Sequence, residues 1–255
     1  MTQPRILALH CHPDDIEILC AGTLVLLKEA GCPIVMATMT SGDCGSATQS
    51  PEEIMKVRRA EAEAGAERLG AEYHCLEFYD LAFYEDHDSR CRVVELLRKV
   101  RPEVIITASP QDYMPDHEIT SRLVAGAAFG APVPNFRTGA ENPAPIIDHI
   151  PHVYYCDPIE GMDQLGVPIT PHFYIDVTAS IDTKVEMLCC HASQREWLRA
   201  HHGMDEYVKS MREWSARRGQ EAGVAEAEAF RQHRGHGYPS NNILADLLGD
   251  RVISI

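Results

Sequence analysis

The sequence predicts an α/β fold: a Rossmann-like, mostly parallel sheet with helices on both faces and a C-terminal helical elaboration. Three observations point there. Short apolar runs alternate with helix-like stretches from Arg5 to Ala108. The connections between them are short, as right-handed strand–helix–strand crossovers require. Polar residues of unusual chemistry collect just after the apolar runs, where open parallel sheets bind ligands.

Arg5 to His10 is a short, mostly apolar run, as expected of a strand buried on both faces. Gly22 to Glu29 reads as a helix that ends at Gly31, and residues 33–39 as a second strand. Ser50, Pro51 and Glu53 give three helix-start signals: an N-cap serine, a proline at the first helical position and a glutamate at the third. The amphipathic helix they open closes at Gly70. Residues 73–78 form the third strand. Asp88 or Ser89 caps a helix through Val100 whose apolar positions are Val93, Val94, Leu97 and Val100, and residues 103–108 form the fourth strand. Residues 131–150, rich in proline, asparagine and alanine, read as a long irregular excursion. Short strands follow at 152–156 and 172–177, then a helix from Ile181 through His191. Cys189 and Cys190 are expected to pack that helix. The polar helical stretch from Trp197 to Trp214 reads as a lid, core or subunit contact. Residues 1–255 are expected to form a single domain, with a core over about 5–180 and the helical elaboration over about 181–255.

At 255 residues and 45% hydrophobic content the chain can bury a sizeable core. Its formal net charge of −15 repels phosphate backbones and anionic lipid. No nucleic-acid partner is expected, and only the arginines between Arg195 and Arg218 hint at a basic patch. The N-terminal apolar run stops at His10, too soon for a signal peptide or a membrane span. Nine cysteines, scattered, odd in number and without a C-x-x-C pair, argue against a disulfide framework or an all-cysteine zinc site. A reducing, cytoplasmic location is the expectation.

After the first strand come His12, Asp14, Asp15 and Glu17; after the second, Thr40 to Asp43; after the third, Tyr79 and Asp80; after the fourth, Asp112, Asp116 and His117. Four consecutive loops thus bring carboxylates and two histidines to one edge. A dinucleotide loop would need G-x-G-x-x-G at the first of them, so that backbone amides could approach a pyrophosphate. This chain has no glycine between His10 and Ala21, and it places two carboxylates where the phosphate would sit. Such a loop favours a cation. Alone, His12 would read as a loop histidine and the aspartate pair as a helix cap. Together, His12, Asp15 three residues on and the distant His117 offer two imidazoles and a carboxylate. That is the donor pattern of a catalytic zinc site with an open fourth position. The same donors also suit Fe2+.

These residues resemble the PIG-L/LmbE-like deacetylase family. The matching pieces are HPDDIE (His12 to Glu17), AGTL (Ala21 to Leu24), TSGDCG (Thr40 to Gly45), RRAE (Arg58 to Glu61) and Leu69-Gly70. RPEV (Arg101 to Val104), Pro115-Asp116-His117, Lys184 with HASQ (His191 to Gln194), and AEAFR (Ala227 to Arg231) follow in family order. The pairing of HPDD with a later PDH is the most specific of them. The resemblance implies Zn2+ held by His12, Asp15 and His117, and Asp14 as the general base, a division between neighbouring aspartates that spacing alone leaves open. It implies removal of an acyl group, most simply acetyl, from an N-acylated small molecule such as an N-acetylamino sugar or its conjugate. A zinc amidase acting on a non-sugar amide, or a metal-binding protein with little catalysis, are the alternatives. Asp116 is a candidate to orient a ligand imidazole, and Arg58 and Asp80 resemble positions near the substrate. Family members often associate, so the resemblance is compatible with a homo-oligomer, although the sequence itself leaves the oligomeric state open. In one respect the chain departs from the pattern: Met114 stands where many members have a histidine thought to act as acid or oxyanion partner. A replacement would have to come from His191, the first choice, or from His201, His202, His236, Arg58 or Tyr113.

Overall fold

A computed structural model describes residues 3–195 and 206–255; Trp197, His201 and His202 lie outside the described residues. The predicted alternation is present. β1 (Ile6–His10), β2 (Ile34–Thr40), β3 (Glu72–Phe78), β4 (Val104–Thr107) and β5 (His152–Cys156) all run parallel. The helices between them are α1 (Asp15–Leu19), α2 (Ala21–Glu29), α3 (Pro51–Leu69), α4 (His87–Val100) and α5 (Pro115–Gly130). Then come β6 (Phe173–Asp176), α6 (Ile181–Leu188), α7 (Glu206–Ala222), β7 (Ala227–Gln232), α8 (Ile243–Leu248) and β8 (Val252–Ser254). The sheet order is β3-β2-β1-β4-β5-β7-β6-β8.

Alternation along β1 sets the two layers of the core. Ile6 and Ala8 face one layer, packed with Ile16, Leu24, Leu27 and Met187 from α1, α2 and α6. Leu7 and Leu9 face the other, packed with Val93, Leu97, Leu123 and Val124 from α4 and α5. Because both faces are covered, β1 and β2 are buried at every position.

The Ser50 signals act as read. Glu53 N–H donates to Ser50 Oγ at 3.3 Å, and Ser50 N–H donates to Glu53 Oε2 at 2.9 Å. Asp86, rather than Asp88 or Ser89, caps α4, by accepting from Ser89 N–H. The larger difference is at the C-terminus, which is only partly helical. β7 enters the sheet antiparallel to both β5 and β6, and β8 closes the edge. Of the arginines that hint at a basic patch, three among the described residues are paired: Arg212 with Asp182, Arg217 with Glu221 and Arg218 with Asp157. Among the described residues no helix is long and apolar enough to cross a membrane.

The chain leaves β1 for β2 on one side, while β4 lies on the other. Strand order reverses here, so a crevice opens between the loops that follow β1 and β4.

Candidate metal centre

Those two loops deliver the histidines. His12 follows β1, Asp15 begins α1, and His117 sits in the first turn of α5; all three are buried. His12 Nδ1 and His117 Nε2 each lie 3.4 Å from Asp15 Oδ2, and they are 3.3 Å from each other. Three donor atoms thus form a nearly equilateral triangle. A tetrahedral ion with bonds of about 2.0–2.1 Å spaces its donors by about 3.3–3.4 Å. The residues present fit such an ion in donor type and in spacing.

Each imidazole keeps its second nitrogen on a carboxylate. His117 Nδ1 is 3.0 Å from Asp112 Oδ1, and His12 Nε2 is 3.5 Å from Asp116 Oδ2 and 3.9 Å from Asp80 Oδ1. Such outer carboxylates fix the ring orientation and make the inward nitrogen a better donor. They are held in turn. Leu81 N–H donates to Asp116 Oδ2, Cys44 N–H to Asp80 Oδ2 and Met114 N–H to Asp112 Oδ1.

The cluster is electrostatically built for positive charge. Burial disfavours charge on both imidazoles, yet Cys11, Asp116 and Asp15 hold His12 well above its ordinary value. Burial acts likewise on His117, and Asp15 and Asp112 outweigh it. Burial would raise Asp15, but His117 and His12 hold it well below the usual carboxylate range. Asp14 goes the opposite way: burial pushes it up against the pull of Arg58.

Asp14 has a backbone φ of 104°, a left-handed conformation that aspartate adopts at a cost. Its side chain is clamped. Arg58 Nη2 donates to Asp14 Oδ2 at 3.1 Å and to Pro13 O at 2.6 Å, and the Tyr207 hydroxyl makes a short hydrogen bond to the same Oδ2. Arg58 passes so close under Gly42 and Gly45 that a Cβ at either would lie 2.4–2.5 Å from its Nη1. The glycines of the TSGDCG segment make room for that arginine.

The geometry gathers His12, Asp14, Asp15, Arg58, Asp80, Asp116 and His117 in one site. His191 is fully buried with Nε2 3.3 Å from Glu17 Oε1, and it interacts electrostatically with Asp14 and Arg58. Tyr113 stands edge-on to His117, with ring centroids 5.5 Å apart, and His236 is exposed. Two contributors had no assigned role in the sequence reading. Asp112 carried a signal, since it lies in the β4 loop with His117. Tyr207 had only its place in the polar segment between the tryptophans.

The GlcNAc-PI de-N-acetylase (PIG-L) family profile matches residues 7–128. The chain is 27% identical over 203 residues to the diacetylchitobiose deacetylase of Thermococcus kodakarensis, covering 74% of this chain and 70% of that protein. It is also 27% identical over 203 residues to the 4-oxalmesaconate hydratase of Pseudomonas putida, covering 75% of this chain and 74% of that one. Its fold matches the N,N'-diacetylchitobiose deacetylase of Pyrococcus horikoshii with a TM-score of 0.75 at 23% identity, over 94% of this chain and 88% of the other.

Proposed function

The chain belongs to the PIG-L family, and on that premise we propose that it is a metal-dependent enzyme that hydrolyses the amide of an N-acylated small molecule, most simply an N-acetylamino sugar or its conjugate. The relatives it matches include deacetylases named for acetylated amino sugars. We take 1–255 to act as one domain, since a single eight-stranded sheet carries both ends of the chain.

His12, Asp15 and His117 are the residues that would hold the ion, and zinc is the ion their donor set fits best. Such an ion, when bound, supplies a Lewis acid that acidifies water and draws out the carbonyl oxygen. Everything else is done by the chain. Asp14 Oδ2 is held by Arg58 and Tyr207, which leaves Oδ1 to take the proton of the attacking water. Asp112 and Asp116 keep the two imidazoles turned inward. Methionine at 114 can neither donate nor accept a proton, so Asp14 also returns its proton to the leaving amine.

The observation that carries this reading is the 3.3–3.4 Å triangle of donors with Asp14 beside it. The test is acetate release from a panel of N-acetylamino sugars and conjugates by zinc-loaded protein, with one free amine formed per acetate. Loaded protein that releases no acetate from any of them overturns the reading.

Met114 and the hydratase relative favour a second reading. In it Asp14 would take a proton from the water whose oxygen adds to one carbon of a carbon–carbon double bond and return that proton to the other carbon, so that no amine is expelled. Consumption of 4-oxalmesaconate by the loaded protein, with no acetate released from the amides, would establish it instead.

A further inference from the structure

Beneath the catalytic loop lies a second convergence of metal-binding side chains, made of different donors. His10 ends β1, Cys20 lies between α1 and α2, and Cys156 ends β5; all three are fully buried. His10 Nε2 is 3.6 Å from Cys156 Sγ and 3.8 Å from Cys20 Sγ, and the three donor atoms lie within 4.8 Å of one another.

Hydrogen bonds account for part of this arrangement, with one thiol able to donate to Nε2 and the other to the neighbouring sulfur. An imidazole nitrogen has one in-plane lone pair, and two thiol sulfurs are aimed at it. The other ring nitrogen, Nδ1, is buried with no hydrogen-bond partner among the described residues. Among the described residues the polar contacts of the ring are therefore all at Nε2. A tetrahedral ion with bonds of about 2.3 Å to sulfur and 2.0–2.1 Å to nitrogen spaces nitrogen from sulfur by about 3.5–3.6 Å. The 3.6 Å separation to Cys156 matches that spacing, and the 3.8 Å separation to Cys20 would shorten by about 0.2 Å on binding. Burial would raise the Cys20 thiol, but its hydrogen bonds with Cys156 and His10 hold it below its ordinary value, while burial and Cys20 hold the Cys156 thiol well above its own.

We propose that His10, Cys20 and Cys156 form a structural site for a thiophilic divalent cation, zinc in type, separate from the catalytic centre. Binding replaces two S–H bonds with two metal–sulfur bonds and releases both protons to solvent. The product, one divalent ion with two thiolates, is neutral, which suits a dry pocket. The placement gives the site its purpose. His10 and Cys20 bracket the segment that contains His12, Asp14 and Asp15, so one ion would close that loop and tie it to β5. The proposal does not depend on the catalytic reading, because the His12, Asp15 and His117 triangle contains no sulfur.

Cobalt(II), loaded with oxygen excluded, tests it. In the His117→Ala protein, where the catalytic triangle is broken, one cobalt per chain is expected, with a thiolate-to-cobalt charge-transfer band in the near ultraviolet. Cys20→Ser and Cys156→Ser should each abolish the band, while Cys11→Ser, which removes the sulfur beside His12, should keep it. A band that survives both serine changes, or that is lost with Cys11, overturns the proposal. Should the buried serine variants fail to fold, X-ray absorption at the cobalt edge of the His117→Ala protein decides. Two sulfurs and one nitrogen are expected; oxygen and nitrogen ligands alone, or no bound cobalt, overturn it.

Discussion

Asp14 and Asp15 are neighbours in sequence with opposite environments. Asp15 lies between two imidazoles that favour its charge, whereas Asp14 is partly buried against one arginine and one phenol. Asp14→Asn should therefore keep the metal and lose about 10²–10⁴-fold in turnover, since an amide cannot take a proton from water. Asp15→Asn should lose metal first, as seen by elemental analysis after mild chelation. Equal metal loss in both variants would contradict the division of roles. Tyr207→Phe removes a hydrogen bond to a charged group, an interaction of about 1.5–3 kcal/mol. Turnover should fall about 10–100-fold with metal content and KM unchanged; a variant that instead sheds metal would show Tyr207 to be purely structural. Residue chemistry near the motif was legible because His12 to Asp15 is one contiguous turn. Tyr207 was not, because it reaches Asp14 from 193 positions away.

At the scale of elements, the parallel half was readable from period and caps, while α5 and β7 were missed. The last two turns of α5 are alanine- and glycine-rich, AGAAFG, and give a weak apolar stripe. β7 carries a glutamate among its alternating alanines, so it reads as a polar motif rather than a strand. The structure gives the reason. Glu228 Oε1 accepts from Gly22 N–H at 2.9 Å and from Lys184 Nζ at 2.7 Å, and Oε2 accepts from Thr23 N–H at 2.8 Å. A carboxylate at the start of α2 ties β7, α2 and α6 together, which no local pattern can announce. Lys184→Met would leave that charge buried without its cation and should cost about 3–5 kcal/mol in urea unfolding. A loss under 1 kcal/mol would mean that the helix terminus alone suffices for Glu228. Ser50→Ala should cost only about 1 kcal/mol by the same measurement, because it removes a single exposed cap.

For the molecule as a whole, function follows from where strand order reverses. β1 and β4 are adjacent, with their crossovers on opposite sides, so two loops far apart in sequence face each other and hold His12 and His117 within 3.3 Å. The most direct test is acetate release from an N-acetylglucosamine conjugate, measured on one preparation as purified, stripped by chelator and reloaded with zinc. Release should vanish on stripping, return on reloading and be absent from reloaded Asp14→Asn protein. Acetate formed equally by stripped and reloaded protein, or equally by the Asn variant, would contradict the metal–base account.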